Sequence, residues 1–415
     1  MEFRKIKADQ IFNGYQFTSG NMVLVLDQQG IVQDIVEEEQ AGGDIEYHPG
    51  ILSPGFINCH CHLELSHMKN QIPSGTGLVD FLLNVVQKRV LPDTPISEER
   101  TPVDKWKAIV DAEKEMYESG ISAVGDICNT TDSIEAKKTS RMYWHNFIEV
   151  LNLSDAKAGS VINENQLILN QFLKELPAHS SNLTSHAPYT VSPLTSKLIN
   201  ESTNQQTISV HNQETAAENK LFETGKGEFL KLYAFFNLPK SPLPITGKRS
   251  LPSWLPSFTN QQNLLLIHNT FTSEEDLRFA EDHAKKYGLN LFYCLCVNAN
   301  LYIENKLPPV EQFMNFGCTM VLGTDSYSSN HQLSMMEEMK TIHRHFPKIP
   351  LTTILQWATV NGAKALGMSD QLGSFNKKMK PGVVLINPEF TNSRRLVLYT
   401  MKNEKGKMKK QSQSF

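Results

Sequence analysis

The residues whose types could perform chemistry begin with a His-x-His pair, His60 and His62, at the end of the apolar segment 56–58. Residues two apart on a β-strand point to the same face, so both imidazoles would project together and form half of a metal site. Cys59 and Cys61 alternate with them and would pack on the opposite face. Because thirteen histidines occur in 415 residues, the pair needs support from elsewhere in the chain.

That support comes from polar residues that end other apolar segments. His186, His211 and His268 each close such a segment, and so do Glu149 and Asp325. A single histidine of this kind would most often be a structural residue. Four segments that end in histidine and one that ends in aspartate are improbable as scattered core residues. The pattern therefore predicts a metal centre.

The predicted ligands are His60, His62, His211 and Asp325, which would bind one divalent ion, Zn²⁺ or, as the second choice, Fe²⁺. An open position on the ion would hold water, whose pKa falls from about 15.7 towards 7 in such sites. Hydroxide would then be available as a nucleophile at neutral pH without any serine or cysteine.

Proton transfer is assigned to Glu214, three residues after His211, where the strand has given way to a loop that can fold over the metal. The competing interpretation of Glu214 is an ordinary acidic residue at a helix N-terminus. His268 would either join the metal shell or hydrogen-bond the attacking oxygen. We favour the second role because Asp325 and three other histidines already satisfy one ion. Asp325 would also orient the hydroxide.

The elements that must position these residues are short apolar segments that alternate with amphipathic helical patterns over residues 54–372. Examples of the helical patterns are 103–119 and 274–287, the latter with Ser273 as N-cap and Gly288 just past its end. The alternation predicts an α/β fold, a (β/α)8 TIM-like barrel with its active site at the C-terminal strand ends. A doubly wound open sheet is the alternative. The eight predicted strands are 55–62, 121–127, 142–150, 182–186, 207–211, 263–268, 289–296 and 318–325.

The two ends of the chain differ from this alternating region. Residues 1–53 and 373–401 contain short alternating segments, including strands at 381–386 and 396–399, and predict a small β-sandwich beside the barrel. Residues 402–415 are expected to be a polar tail. A net charge of −4 gives no reason to expect nucleic acid as a partner. With no apolar run of about 18 residues and no dense cysteine framework, we expect a cytoplasmic, reduced protein without membrane contact.

Five segments of the chain contain the candidate site residues: PGFINCHCH (54–62), HAPYTVS (186–192), HNQE (211–214), His268, and LGTDS (322–326) with Ser329 and Asn330. Together they resemble the amidohydrolase superfamily, and most closely its branch of metal-dependent aminohydrolases. That branch includes guanine, cytosine, adenosylhomocysteine and aminodeoxyfutalosine deaminases and the triazine hydrolases. The resemblance implies the four metal ligands named above, the same roles for Glu214 and His268, and a substrate contact for His186, with a structural role as the alternative. It also implies a small-molecule substrate and a homodimer, the assembly of many relatives.

The chain also departs from these relatives. No lysine ends the predicted strand 182–186, so the binuclear site with a carbamylated lysine is not expected. Asn305 stands where many relatives have glycine, and Val383-Val384 replaces the usual Ala-Asp. Both changes lie outside the predicted ligands and concern the subgroup rather than the chemistry.

The predicted reaction is hydrolysis of a carbon–nitrogen bond that is not a peptide bond, with ammonia removed from an amino-substituted heterocycle. Segment 63–67 most resembles aminodeoxyfutalosine deaminases, which act on an adenine-containing nucleoside derivative. Glu64 and Ser66 are predicted substrate contacts, and the stretch 229–258 is either a substrate lid or a packed loop. The alternatives are a guanine- or cytosine-type deaminase, an amide or chloride hydrolase, and an inactive scaffold. Retention of every predicted ligand favours an enzyme.

Overall fold

A computed structural model describes residues 3–90, 104–238 and 240–396 of the chain. The described strands are β1 (Arg4–Ile11), β2 (Met22–Leu26), β3 (Val32–Glu37), β4 (Ile45–Pro54), β5 (Phe56–Cys61), β6 (Ile121–Cys128), β7 (Tyr143–Val150), β8 (Ser180–Ser185), β9 (Thr207–Asn212), β10 (Asn263–His268), β11 (Asn290–Leu295), β12 (Met320–Leu322), β13 (Val383–Ile386) and β14 (Ser393–Arg395).

The described helices lie mainly between these strands. They are α1 (Glu38–Ala41), α2 (Leu78–Val90), α3 (Lys105–Glu118), α4 (Ile134–Thr139), α5 (Ala158–Glu175), α6 (Pro193–Ser202), α7 (Ala216–Thr224), α8 (Phe229–Phe235), α9 (Ser250–Trp254), α10 (Glu274–Tyr287), α11 (Val297–Glu304), α12 (Val310–Asn315), α13 (Met335–His345), α14 (Leu351–Ala358) and α15 (Val360–Ala365). Short 3-10 helices span Leu63–Met68, Asp155–Lys157, Pro188–Thr190 and Leu255–Ser257.

Strands β5 to β12 form two parallel sheets of four strands, one in the order β5-β6-β7-β8 and the other in the order β9-β10-β11-β12. The sheets meet at β8 and β9, where the His211 amide donates to the His186 carbonyl at 3.0 Å. They meet again at β12 and β5, where the Asp325 amide donates to the His60 carbonyl at 3.0 Å. This strand order agrees with the predicted (β/α)8 barrel, and each of the eight predicted segments overlaps one of these strands, with end shifts of at most three residues.

Most of the parallel strands are largely apolar and can therefore be buried on both faces, although β8 carries serine, asparagine and threonine side chains. Every residue of β6 is buried, as is every residue of β5. Gly323, just after β12, allows the close approach of β12 to β5. A Cβ atom there would lie 2.8 Å from the Cβ atom of His60 and 2.9 Å from the Sγ atom of Cys294. The chain can therefore bring Asp325 next to His60.

The two example helices are confirmed with small shifts of their ends. Helix α10 begins after Ser273, whose hydroxyl accepts from the Asp276 amide while the Asp276 carboxylate accepts from the Ser273 amide. It ends at Gly288, which has a left-handed backbone with φ of 70°. Helix α3 is capped by Asp104, and position 103 of the predicted helix lies outside the described residues.

The terminal segments form one six-stranded sheet in the order β14-β13-β4-β1-β2-β3, which differs from the predicted two-layer sandwich. The difference arises at β4, which pairs parallel to β1 along one edge and antiparallel to β13 along the other. The two ends of the chain are thereby joined side by side by backbone hydrogen bonds. β13 lies within the predicted strand 381–386. β14 precedes the predicted strand 396–399, most of which lies outside the described residues, as does the predicted tail 402–415.

In the described part of the chain, no helix combines the length and apolar character that a membrane crossing requires.

Candidate metal centre

Two histidines and one aspartate meet at the junction of β5 and β12. His60 and His62 project from the end of β5 with their Nε2 atoms 3.2 Å apart. The Oδ1 atom of Asp325 lies 3.6 Å from His60 Nε2 and 3.5 Å from His62 Nε2. Asp325 has a left-handed backbone with φ of 58°, and its Oδ2 atom accepts a hydrogen bond from Ser329 Oγ at 2.6 Å. Ser329 thereby leaves Oδ1 directed at the histidines.

His211, near the end of β9, completes the cluster. Its ring centroid lies 4.8 Å from that of His60, and possible ligand atoms of His60, His62 and His211 all lie within 4.8 Å of one another. His211 Nδ1 is 2.8 Å from the carbonyl oxygen of His186, which can only accept a hydrogen bond. His211 Nδ1 must therefore carry the proton, so Nε2 keeps a lone pair for a metal.

The donor set fits a divalent metal ion. Four ligands arranged tetrahedrally at about 2.1 Å from zinc lie about 3.4 Å from one another. The three separations among His60, His62 and Asp325 are 3.2, 3.5 and 3.6 Å. Imidazole nitrogens with a carboxylate oxygen are donors that zinc and ferrous iron both accept.

The protonation states of these side chains at neutral pH also favour metal binding. Burial lowers the pKa of His62 and of His211 well below the usual value, and the neighbouring histidines lower both further. Burial alone would raise the pKa of Asp325, but the nearby imidazoles of His60, His62 and His268 bring it well below its usual range. The site therefore presents unprotonated nitrogens beside an ionised carboxylate, as metal coordination requires.

Glu214 and His268 lie together beside the cluster, with Glu214 Oε1 3.5 Å from His268 Nε2. Burial raises the pKa of Glu214 well above its usual value, and the charge of Asp325 adds to this effect. Burial lowers the pKa of His268 to about 4. His268 Nδ1 lies 2.8 Å from Asn300 Oδ1, and the side-chain nitrogen of Asn300 donates to the His268 carbonyl. The Nδ1 atom therefore carries the proton. His268 Nε2 is left as an acceptor that faces Glu214.

Glu218 holds the loop that carries Glu214, a role that the sequence analysis missed. Its carboxylate accepts from the Gln213 amide at 3.0 Å and from the Glu214 amide at 3.2 Å, and Ser250 Oγ donates to it as well. Gln213 has a left-handed backbone with φ of 45°. The sequence signal was weak, since Glu218 reads as a first-turn acidic residue of α7.

His186 lies against His211, with 4.8 Å between the ring centroids, and its Nδ1 atom is 2.6 Å from Thr190 Oγ1. Glu149, at the end of β7, accepts a hydrogen bond from the Asn129 side chain at 2.8 Å. Glu149, His186 and His211 form a second cluster of possible ligand atoms, again within 4.8 Å of one another. The structure thus brings His186 to the centre, as predicted.

The structure does not bring Glu64 and Ser66 to the cavity beside the centre, where the sequence analysis placed them. Glu64 is buried, and its carboxylate accepts from the backbone amides of Asn129 and Thr130, each at 3.1 Å. Ser66 Oγ donates to the Leu63 carbonyl at 2.7 Å. The cause is the 3-10 helix Leu63–Met68, which turns the chain immediately after His62. Glu64 therefore supports the loop after β6, while Ser66 stabilises the 3-10 helix itself.

The cavity itself has a polar floor and an apolar wall. The predicted site residues His62, His186, His211, Glu214, His268 and Asp325 all line the floor, and most of the apolar wall comes from α2 and α8. Within the stretch 229–258, α8 is held to the core by Tyr233, whose hydroxyl donates to the Tyr189 carbonyl at 2.8 Å. The remaining floor residues are Asn129, Glu149, Thr190, Ser326 and Ser328.

A buried ion pair below the centre was also missed. Lys137 of α4 lies 2.5 Å from Asp126 Oδ2, and both side chains are fully buried. Asp126 Oδ1 accepts from the amide of Leu63, the residue directly after His62, at 2.8 Å. An aspartate within the apolar run 121–127 could have indicated a buried charge that needs a partner. Nothing in the sequence identified Lys137, eleven residues further along the chain, as that partner.

Residues 51–408 match the model of the amidohydrolase family. A 5-methylthioadenosine/S-adenosylhomocysteine deaminase from Desulforamulus reducens is 25% identical over 361 residues, which cover 83% of this chain and 74% of the relative. Helicobacter pylori aminofutalosine deaminase in complex with methylthio-coformycin has a similar structure, with a TM-score of 0.74, 23% identity and 92% of each chain covered. An adenosine deaminase from Xanthomonas campestris with bound zinc gives a TM-score of 0.65 at 17% identity, over 92% of this chain and 84% of the other.

Proposed function

Because the chain belongs to the amidohydrolase family, whose members are metal-dependent hydrolases, we propose that it removes ammonia from an adenosine-like nucleoside. The observation that carries this proposal is the cluster of His60, His62 and Asp325, with donor atoms 3.2 to 3.6 Å apart. The deaminase relatives support the reaction class. We also infer that the two parallel sheets close into the predicted (β/α)8 barrel.

The metal would be held by His60, His62, His211 and Asp325, and we propose zinc, which the Xanthomonas campestris deaminase contains. When bound, such an ion supplies a water of lowered pKa as the nucleophile. Ser329 keeps Oδ1 of Asp325 turned toward the histidines by binding Oδ2. The His186 carbonyl accepts the proton on His211 Nδ1 in a hydrogen bond, so His211 Nε2 remains available to the metal.

Glu214 would be the residue that moves protons. Burial raises the pKa of Glu214 well above its usual value, so this carboxylate accepts a proton more readily than an exposed one and can pass it on as a general acid. During deamination, Glu214 in its carboxylate form would take one proton from the attacking water and pass it to the ring nitrogen. It would then take the second proton from the hydroxyl group on the ring carbon and pass it to the amine, which leaves as ammonia. A buried carboxyl group beside the cavity floor can exchange protons with substrate without competition from bulk solvent.

His268 would orient the attacking water. With a pKa of about 4 it is neutral at pH 7, and its Nδ1 proton is directed to Asn300. His268 Nε2 can therefore accept a hydrogen bond from water, 3.5 Å from the Glu214 carboxyl that would receive the proton. His186, which lines the same cavity floor, is proposed to contact the heterocycle.

Metal analysis combined with ammonia release tests the proposal. Purified wild-type protein should contain one divalent ion per chain, and the His211→Ala and Asp325→Ala variants should lose most of it. Ammonia release should be measured with adenosine, 5′-methylthioadenosine, aminodeoxyfutalosine, guanine and cytosine. We expect turnover of the adenine nucleosides above that of the free bases. Wild-type protein without stoichiometric metal, or turnover confined to guanine or cytosine, would contradict the proposal.

A further inference from the structure

The apolar wall of the cavity is one face of helix α2. Leu78, Phe81, Leu82, Val85 and Val86 all line the cavity. Their spacing of three and four residues places them on one side of a helix, where a surface helix normally carries the stripe that faces the protein core. The polar residues Asp80, Gln87 and Lys88 are exposed on other sides of α2.

Part of this stripe remains accessible from the cavity. Leu82, Val85 and Val86 are only partly buried. On the other side of the cavity, Phe236 is 48% exposed and Leu151 is 46% exposed. Apolar side chains that converge on a cavity without covering one another indicate an apolar ligand group, because covering them removes further apolar surface from water.

The charges in the cavity point to the same kind of ligand group. Apart from Tyr189, its ionisable lining residues are histidines and the carboxylic acids Glu149, Glu214 and Asp325. Of the residues that the structure describes around this cavity, none is a lysine or an arginine. Carboxylate and phosphate groups of ligands are normally bound by such cations. An anionic substituent would find no cationic partner in this lining and would meet acidic side chains instead.

We propose that the substrate is an adenosine-like nucleoside whose 5′ substituent is uncharged and apolar and packs against the stripe of α2. This inference rests on the proposed function, since deamination places the purine at the polar floor of the same cavity. The apolar wall is the remaining surface available to the other end of the nucleoside. The wall therefore selects among nucleosides that share the same reacting base.

The first test compares substrates on the wild-type enzyme. One extra apolar group in a hydrophobic pocket typically changes kcat/KM by about tenfold or more. We expect kcat/KM for 5′-methylthioadenosine to exceed that for adenosine by about tenfold. We also expect S-adenosylhomocysteine, which carries a charged amino acid at the same position, and AMP, which carries a phosphate, to fall at least tenfold below 5′-methylthioadenosine.

The second test introduces a positive charge into the apolar wall of the cavity. Val85→Lys places an ammonium group on the stripe, and Gln87→Lys places the same group on an exposed side of the same helix as the matched control. We expect Val85→Lys to lower the ratio of kcat/KM for 5′-methylthioadenosine to that for adenosine by at least tenfold, and Gln87→Lys to leave this ratio unchanged. The ratio is measured within one preparation, so a reduced fraction of folded enzyme does not alter it.

The possible outcomes separate the inference from the proposed function. Equal kcat/KM for adenosine, 5′-methylthioadenosine and S-adenosylhomocysteine would overturn the inference and leave the deaminase intact. An unchanged substrate ratio in Val85→Lys would also overturn it. Absence of ammonia release from every adenine nucleoside, with metal bound, would instead refute the proposed function.

Discussion

Replacing Lys137 with methionine should destabilise the protein by about 3–5 kcal/mol, the range measured when one partner of a buried ion pair is removed. Lys137 Nζ lies 2.5 Å from Asp126 Oδ2 and 2.8 Å from Asn146 Oδ1, with no exposure of either charged side chain. Methionine fills most of the volume but leaves the Asp126 carboxylate buried without its cation. The equilibrium constant for unfolding should rise by roughly two to four orders of magnitude.

The effect should also reach the metal centre. Asp126 Oδ1 accepts the hydrogen bond from the amide of Leu63, which follows His62 directly. A carboxylate that moves toward water would release this amide and displace the end of β5. We therefore expect lower metal content in Lys137→Met, measured on the folded protein by elemental analysis. Stability is measured by denaturant unfolding monitored through tryptophan fluorescence.

Two further variants identify the cause. Asp126→Asn combined with Lys137→Met removes both charges but keeps a carbonyl oxygen for the Leu63 amide, so it should recover at least half of the lost stability and the metal. Lys107→Met removes the lysine of the exposed Lys107–Asp111 pair and should leave the denaturation midpoint at the wild-type value. The reasoning is refuted if Lys137→Met unfolds at the wild-type denaturant concentration. It is also refuted if the double variant is no more stable than the single one.

Three other expectations concern the site. Glu214→Gln should retain metal and lose 100-fold or more in kcat because the proton carrier is gone, and undiminished turnover would contradict that role. Asn300→Leu removes the acceptor for the His268 Nδ1 proton, so kcat should fall by about tenfold with metal content unchanged; wild-type kcat would count against it. Burial raises the pKa of Glu218 to about 7 from 4.5, so the stability that this group contributes below pH 4.5 is lost as pH rises through 7. Denaturant unfolding at pH 5 and 8 should show wild type losing about 2.5 kcal/mol relative to Glu218→Gln, and parallel pH profiles would exclude the effect.

The eight parallel strands could be predicted because their physical requirement is visible in the sequence. A strand that is buried on both faces is largely apolar, so runs such as 121–127 stand out from the amphipathic helices even though this run contains Asp126. The residues that end these runs then lie at one edge by the geometry of parallel strands. His60, His211 and Asp325 come together for this reason, although they are separated by more than a hundred residues.

Side-chain direction immediately after a strand could not be predicted in the same way. Glu64 lies only two residues from His62, but a 3-10 helix begins at Leu63 and turns its carboxylate to the backbone amides of Asn129 and Thr130. Strand pairing in the terminal sheet presented the same difficulty. The alternating pattern identified strand segments, but the choice between stacking and side-by-side pairing depended on the position of β4 between β1 and β13.

Helix α2 shows why the substrate is harder to predict than the reaction. An apolar stripe with helical spacing predicts burial, and the sequence does not reveal whether protein or ligand will cover it. On α10 the stripe residues Leu277, Ala280 and Ala284 are buried by protein, whereas on α2 Val85 and Val86 stay partly exposed beside His62 and Glu214. The metal ligands follow from local chemistry at strand ends. The specificity of the site depends instead on the apolar surface of α2 that stays partly exposed to the cavity.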